Sequence, residues 1–268
     1  MPIVEIDYEK CTFCGTCIRV CPRRLFNEIN EEKVEYSDPK SMCIRCGHCV
    51  ARCPENAVLF EDMGESYEFE GINNPNEIIA YEDFYKFLQG HRSIRRYKKQ
   101  KVPEGLLNKV FNAMQWAPTG RNMRSESFVI ISDEEQLKAL SDVIQKTLSE
   151  DKAWGWLYEE RLANLAKEFK SPVYFDAPHL IIVHSQLFTD IGIQNIANIV
   201  TYGRLAAHTL GLGTCWNGWT QAAIEIDPKI MKLAGIRTKK IGAFTLGYPD
   251  VTFYRTPPRS FKHVKGLK

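Results

Sequence analysis

The chain has 268 residues, of which 44% are hydrophobic, 11% aromatic and 25% charged. That length and balance exclude a lone miniprotein and a disordered chain, and at roughly 150 residues per domain they suit one large domain or a small one joined to a larger one. A net charge of +2 does not by itself demand a nucleic-acid or membrane-surface partner.

The opening residues, MPIVEIDYEK, carry no apolar segment behind a basic start, and no stretch approaches the ~18 continuous apolar residues of a membrane span. The expectation is a cytoplasmic protein. Of the nine cysteines, eight fall between Cys11 and Cys53, and only Cys215 lies beyond. In a reducing cytosol such dense thiols are metal ligands or catalytic groups sooner than disulfides.

Residues 11–22 (CTFCGTCIRVCP) superimpose on residues 43–54 (CIRCGHCVARCP), with the four cysteines, the glycine and the proline matched at one offset. Each repeat reads C-x-x-C-x-x-C-x-x-x-C-P. Three thiolates at this spacing converge on one cluster while the fourth points elsewhere, and a cubane needs four. The fourth cysteine of each repeat therefore serves the other's cluster, the crossed ligation of two-cluster ferredoxins. One cluster takes Cys11, Cys14, Cys17 and Cys53; the other takes Cys43, Cys46, Cys49 and Cys21. The competing reading is a structural zinc module, but zinc sites usually pair two separated C-x-x-C knuckles, whereas here a triplet plus C-P occurs twice. Gly15 and Gly47 suit tight backbone beside cluster sulfurs, and Pro22 and Pro54 turn the chain after the last ligand. His48 reads as a surface residue. Residues 1 to about 60 resemble the bacterial two-cluster ferredoxins, which implies two [4Fe-4S] clusters carrying single electrons at low potential.

After Phe60 the chain turns acidic (Glu61, Asp62, Glu65, Glu68, Glu70) and then turn-forming (Gly71, Asn73, Asn74, Pro75), which marks a domain boundary. We expect a first domain over 1–62, a linker and leading helix over 63–87, and a second domain over 88–268. Ile78, Ile79, Tyr81, Phe84, Tyr85 and Leu88 suit one amphipathic helix. A second opens at Pro103 and stops before Pro118. Further helical stretches are expected around 134–149, 154–169 and 191–210, and buried strands over 128–131, 180–183 and 241–246. Trp154, Trp156 and Tyr158 read as core packing. Cys215 reads as a small buried hydrophobe, and His179, His184 and His208 as structural.

No G-x-G-x-x-G follows a strand, so a Rossmann dinucleotide site is not indicated. The run HRSIRRYKKQK at 91–101, taken alone, is a solvated basic stretch. Four segments change that reading: R-S-I-R-R-Y, then W-A-P-T-G-R-N, then a D-I-G-I-Q-N helix ending G-L-G-T-C-W-N-G, then L-G-Y-P followed by P-P-R. In that order, over about residues 88–264, they resemble the nitroreductase family of FMN flavoproteins. The resemblance implies an α+β fold, here a small two-cluster ferredoxin-like domain followed by a nitroreductase-like domain with a mixed sheet flanked by helices. It also implies a homodimer with FMN at the subunit interface.

Carried over by residue, Arg92, Ser93 and Arg95 sit where the family clamps the FMN phosphate and ribityl chain, chemistry that suits a guanidinium fork and a hydroxyl. Arg259 matches the C-terminal basic residue of that clamp. Pro118, Thr119, Gly120 and Asn122 match the loop reaching the flavin from the partner subunit. Cys215 to Gly218, including Trp216, match the loop along the flavin, with the N–H groups of Asn217 and Gly218 expected toward N5 and O4. Many members continue the asparagine loop with Gln-Pro-Trp, whereas here Met123, Arg124, Ser125 and Glu126 follow, so the substrate pocket differs.

Together these features imply an oxidoreductase that takes electrons from a ferredoxin-type donor through the clusters to FMN and on to a small organic acceptor such as a nitro compound, quinone or activated alkene. The reverse flow, with NAD(P)H or a substrate reducing FMN and the clusters exporting electrons, and a non-catalytic carrier or sensor are the alternatives.

Overall fold

The computed structural model describes residues 2–30, 33–187 and 189–266. They form two compact units, Met1–Ile79 with Gly120–Arg124, and Ala80–Thr119 with Ser125–Lys268.

The first unit runs β1 (Ile3–Ile6), α1 (Thr16–Val20), β2 (Phe26–Ile29), β3 (Lys33–Tyr36), α2 (His48–Arg52), β4 (Val58–Phe60) and α3 (Pro75–Ile78). Strands β1 and β4 pair antiparallel, as do β2 and β3. The internal repeat is visible in the backbone. Phe13 and Arg45 (φ 54° and 53°), Gly15 and Gly47 (64° and 71°), and Arg24 and Asn56 (53° and 50°) adopt matching left-handed conformations. Gly15 and Gly47 cap the N-termini of α1 and α2, in a conformation that a side chain resists. Ile3, Ile6, Phe26, Val34 and Val58 bury together with two of the motif thiols, Cys17 and Cys49.

The expected helix from Ile78 to Leu88 is broken. Ile79 is extended (φ −146°, ψ 125°) and ends α3, and the next helix, α4 (Tyr81–Gly90), begins beyond Ala80. Two adjacent β-branched residues, Ile78 and Ile79, weaken the helix at that point.

The second unit continues with α5 (Glu104–Gln115), β5 (Glu126–Ile131), α6 (Glu134–Ser149), α7 (Gly155–Ala166), β6 (His179–Ser185), α8 (Ile191–Thr209), β7 (Gly213–Trp216), α9 (Gly218–Ile226), α10 (Ile230–Leu233) and β8 (Ile241–Gly247). Its sheet has the order β5-β6-β8-β7 with every neighbouring pair antiparallel. The isolated bridge of Ser93 to Thr214 is parallel. Every residue of β6 and β8 is buried, which explains why both read as continuous apolar runs. Alternate residues face opposite sides. Leu180, Ile182, Ile241 and Ala243 pack with α6, α9 and α10, whereas Ile181, Val183, Phe244 and Leu246 pack with α5 and α8. Helix α8 lies so close to β8 that a Cβ at Gly242 would stand 2.5 Å from Ile196 Cγ2.

Trp154 and Trp156 are 59% and 70% exposed, which corrects the core-packing expectation for both. The buried stripe of α7 is Gly155, Tyr158, Leu162 and Leu165, a helical spacing that leaves Trp156 off the inward face. Tyr158 does pack on the core. Cys215 is 3% exposed and lies among Phe169 and Phe175. His179 accepts from the Val102 N–H (3.0 Å) and meets the Ser132 hydroxyl (2.6 Å), and its burial pushes its pKa down to about 4. Among the described residues no helix is long and apolar enough to cross a membrane.

Candidate functional site

The first unit contains two cavities of similar size. One is lined by Cys43, Cys46 and Cys49 of the second motif together with Cys21 of the first. The other is lined by Cys11, Cys14 and Cys17 of the first motif together with Cys53 of the second. The chain thus crosses between motifs as the spacing predicts. Among the described residues no three His, Cys, Asp or Glu side chains converge tightly enough to hold a single metal ion. Four thiols ringing one cavity suit a cluster held by four cysteines.

The backbone supports the fourth thiol of each motif in the same way. Cys21 Sγ accepts the N–H of Leu25 (3.4 Å), and Cys53 Sγ accepts that of Ala57 (3.2 Å), the equivalent residue of the second repeat. Burial raises the pKa of Cys17 and pushes that of Cys49 up to about 12. The Thr16 hydroxyl, 3.2 Å from Cys14 Sγ, lowers the pKa of that more exposed thiol.

The approach to each motif is pinned by an aspartate that sequence reasoning missed. Asp7 Oδ1 accepts the N–H groups of Glu9 and Lys10 before Cys11. Asp38, buried, accepts those of Met42 (2.6 Å) and Cys43 (3.0 Å) and the Tyr36 hydroxyl (3.3 Å). An aspartate a few residues ahead of each first cysteine is the signal that would have found them.

Gly120 and Asn122 of the asparagine loop belong to the first unit, whereas Pro118 and Thr119 belong to the second. The Asn122 amide donates to the carbonyls of Ile44 (3.3 Å) and Arg45 (2.7 Å).

In the second unit, Ser93 bridges Thr214 at the edge strand β7, and the Ile94 N–H donates to the Thr214 carbonyl (2.9 Å). Arg92 and Arg95 therefore flank a segment fixed to the sheet. The Arg92 guanidinium lies 4.9 Å from the Phe253 ring and donates to the Arg255 carbonyl (2.8 Å). Arg95 lies 5.9 Å from the Phe175 ring. Among the described residues neither arginine has a carboxylate partner, whereas neighbouring Arg96 pairs with Glu168. Two guanidinium groups without acidic partners fit a phosphate dianion. A third cation was missed: half-buried Arg204 of α8 donates to the Thr214 hydroxyl (3.2 Å), its pKa lowered by burial. Its signal was a lone basic residue within NIVTYGRLAAHT. Arg259 lies in the exposed tail, and Arg255 is the tail residue that meets Arg92.

Asn217 caps α9, accepting from the N–H and hydroxyl of Thr220 (2.9 and 2.8 Å) and donating to the Val173 carbonyl (2.7 Å). Its own N–H donates to the Ala243 carbonyl (2.7 Å), so the expectation that this N–H faces a flavin is corrected: the ladder beside β8 claims it. Gly218 opens the helix, where N–H groups lack intrahelical acceptors. The Trp216 indole donates to Gln221 (2.9 Å).

Two thiol-ringed cavities in one unit and, in the other, Arg92 and Arg95 without carboxylate partners among the described residues suit an electron-transfer enzyme. Residues 88–248 match the Nitroreductase family model, and residues 3–54 match the 4Fe-4S dicluster domain model. The chain belongs to the nitroreductase family and carries an N-terminal 4Fe-4S dicluster domain. It is 27% identical to an iodotyrosine deiodinase of Thermotoga neapolitana over 62% of this chain and 88% of that protein. It is 39% identical to an uncharacterized ferredoxin of Methanocaldococcus jannaschii over 26% of this chain and 92% of that one. A nitroreductase with bound FMN from Bacteroides fragilis shares its fold, with a TM-score of 0.56 and 20% identity over 69% of this chain and 96% of the other.

Proposed function

We propose that the chain is an iron-sulfur flavoprotein oxidoreductase that accepts single electrons from a reduced ferredoxin-type donor through two [4Fe-4S] clusters and delivers them through FMN to a small organic acceptor. The observation that carries this reading is the crossed lining of the two cavities, three cysteines of one motif with the fourth of the other. Cys11, Cys14, Cys17 and Cys53 hold one cluster, and Cys43, Cys46, Cys49 and Cys21 the other. Arg92, Ser93 and Arg95 bind the FMN phosphate and ribityl chain, with Arg204 supplying a further cation behind Thr214. Gly218 offers its N–H to the ring, and Pro118, Thr119 and Trp216 shape the surroundings. A second copy of the chain completes the flavin site. When bound, clusters carry electrons singly and a flavin pairs them for hydride transfer. No side chain of this chain need act as an acid or base in loading those groups.

Anaerobic turnover tests the direction. With reduced ferredoxin as donor, a nitro compound, quinone or activated alkene should be consumed steadily. Flavin reduction by NAD(P)H followed by cluster reduction would reverse the flow, and electron uptake without acceptor turnover would leave a carrier instead of an enzyme.

A further inference from the structure

The two cysteine motifs are alike in backbone but are braced differently. In the first, Arg19 of α1 reaches back within its own motif and donates from Nη2 to the Cys14 carbonyl (3.1 Å). The equivalent position in the second motif is Ala51, which has no donor to offer. The carbonyls of Ile44 and Arg45, between ligands Cys43 and Cys46, are held instead by the amide of Asn122, 77 or more residues away in sequence. The backbone there needs a brace, because Arg45 sits at φ 53°, a left-handed conformation that costs a non-glycine residue about 1 kcal/mol or more.

Peptide planarity gives this contact a chemical consequence. Each carbonyl shares a trans peptide with the N–H of the following residue, and the two point in opposite directions. Fixing the Ile44 and Arg45 carbonyls toward Asn122 therefore aims the N–H groups of Arg45 and Cys46 away from it. Among the described residues neither N–H has a hydrogen-bond acceptor, and both residues line the second cavity. Hydrogen bonds to cluster sulfurs are one determinant of a cluster's potential.

We infer that Asn122 is a positioning residue for the second cluster, orienting the Arg45 and Cys46 N–H groups toward its sulfurs. This rests on the assignment of Cys21, Cys43, Cys46 and Cys49 as cluster ligands. Residues 120–124 group with the first unit, so the Asn122 amide and the two carbonyls it meets belong to one compact unit.

The test compares wild-type holoprotein with Asn122→Asp, Asn122→Gln and Arg19→Ala, prepared anaerobically and titrated potentiometrically with spectroscopic detection of the clusters. Asn122→Asp is nearly isosteric but cannot donate. It should move one cluster midpoint, or lose about four of eight irons. Asn122→Gln, which keeps the donors, should lie nearer wild type. Arg19→Ala should move the other midpoint. Loss of FMN from Asn122→Asp with both cluster midpoints intact would overturn the inference, as would both variants moving the same midpoint. A wild-type protein without clusters would instead remove the assignment of the cysteines on which it rests.

Discussion

In the first unit the buried cluster mixes five aliphatic or aromatic residues with Cys17 and Cys49, so two thiols of the cysteine motifs also fill the interior. In the second unit β6 and β8 are buried along their whole length, and the apolar clusters on the two sides of the sheet include Leu140, Ile144, Ile182, Phe244 and Val200. The contrast separates two sources of stability. A small domain with little apolar area depends on its metal, whereas a larger one is carried by packing.

The largest effect that separates them is iron removal. Chelation of the anaerobic protein should abolish hydrogen-exchange protection across residues 2–60 while β6 and β8 stay protected. Unchanged protection in β1 to β4 would mean that the first core stands without its clusters. A smaller effect runs the other way. Phe244→Ala should cost about 3–5 kcal/mol in the urea unfolding of the second unit, with iron content unaltered; a loss under 1 kcal/mol would show that β8 is not central to that core.

The same contrast explains what could be read from sequence. The cysteine repeat was legible because its spacing recurs at one constant offset whatever surrounds it, and the shared lining of the two cavities follows that repeat. Strands β6 and β8 were legible because a strand covered on both faces has no polar alternation, whereas the run 128–131, expected to be buried, lies in the edge strand β5, where only Ile131 is buried. Strand β7 was missed: Gly213, Thr214 and Cys215 have no apolar run, and pairing with β8 makes them a strand. Trp156 misled because burial follows the face of α7, not the size of the ring. The contacts of Asn122 were not legible, since a motif fixes residue type but not which backbone the side chain meets. Its two carbonyl acceptors lie 77 and 78 residues away, a separation that local pattern does not encode.

An anaerobic reductive titration with titanium(III) citrate, monitored for flavin and cluster absorbance, tests most directly whether one polypeptide houses both kinds of redox centre. Two one-electron clusters and a two-electron flavin predict about four electrons taken up per chain, alongside about eight irons and one FMN. An uptake of two electrons, with either iron or flavin missing, would contradict the account.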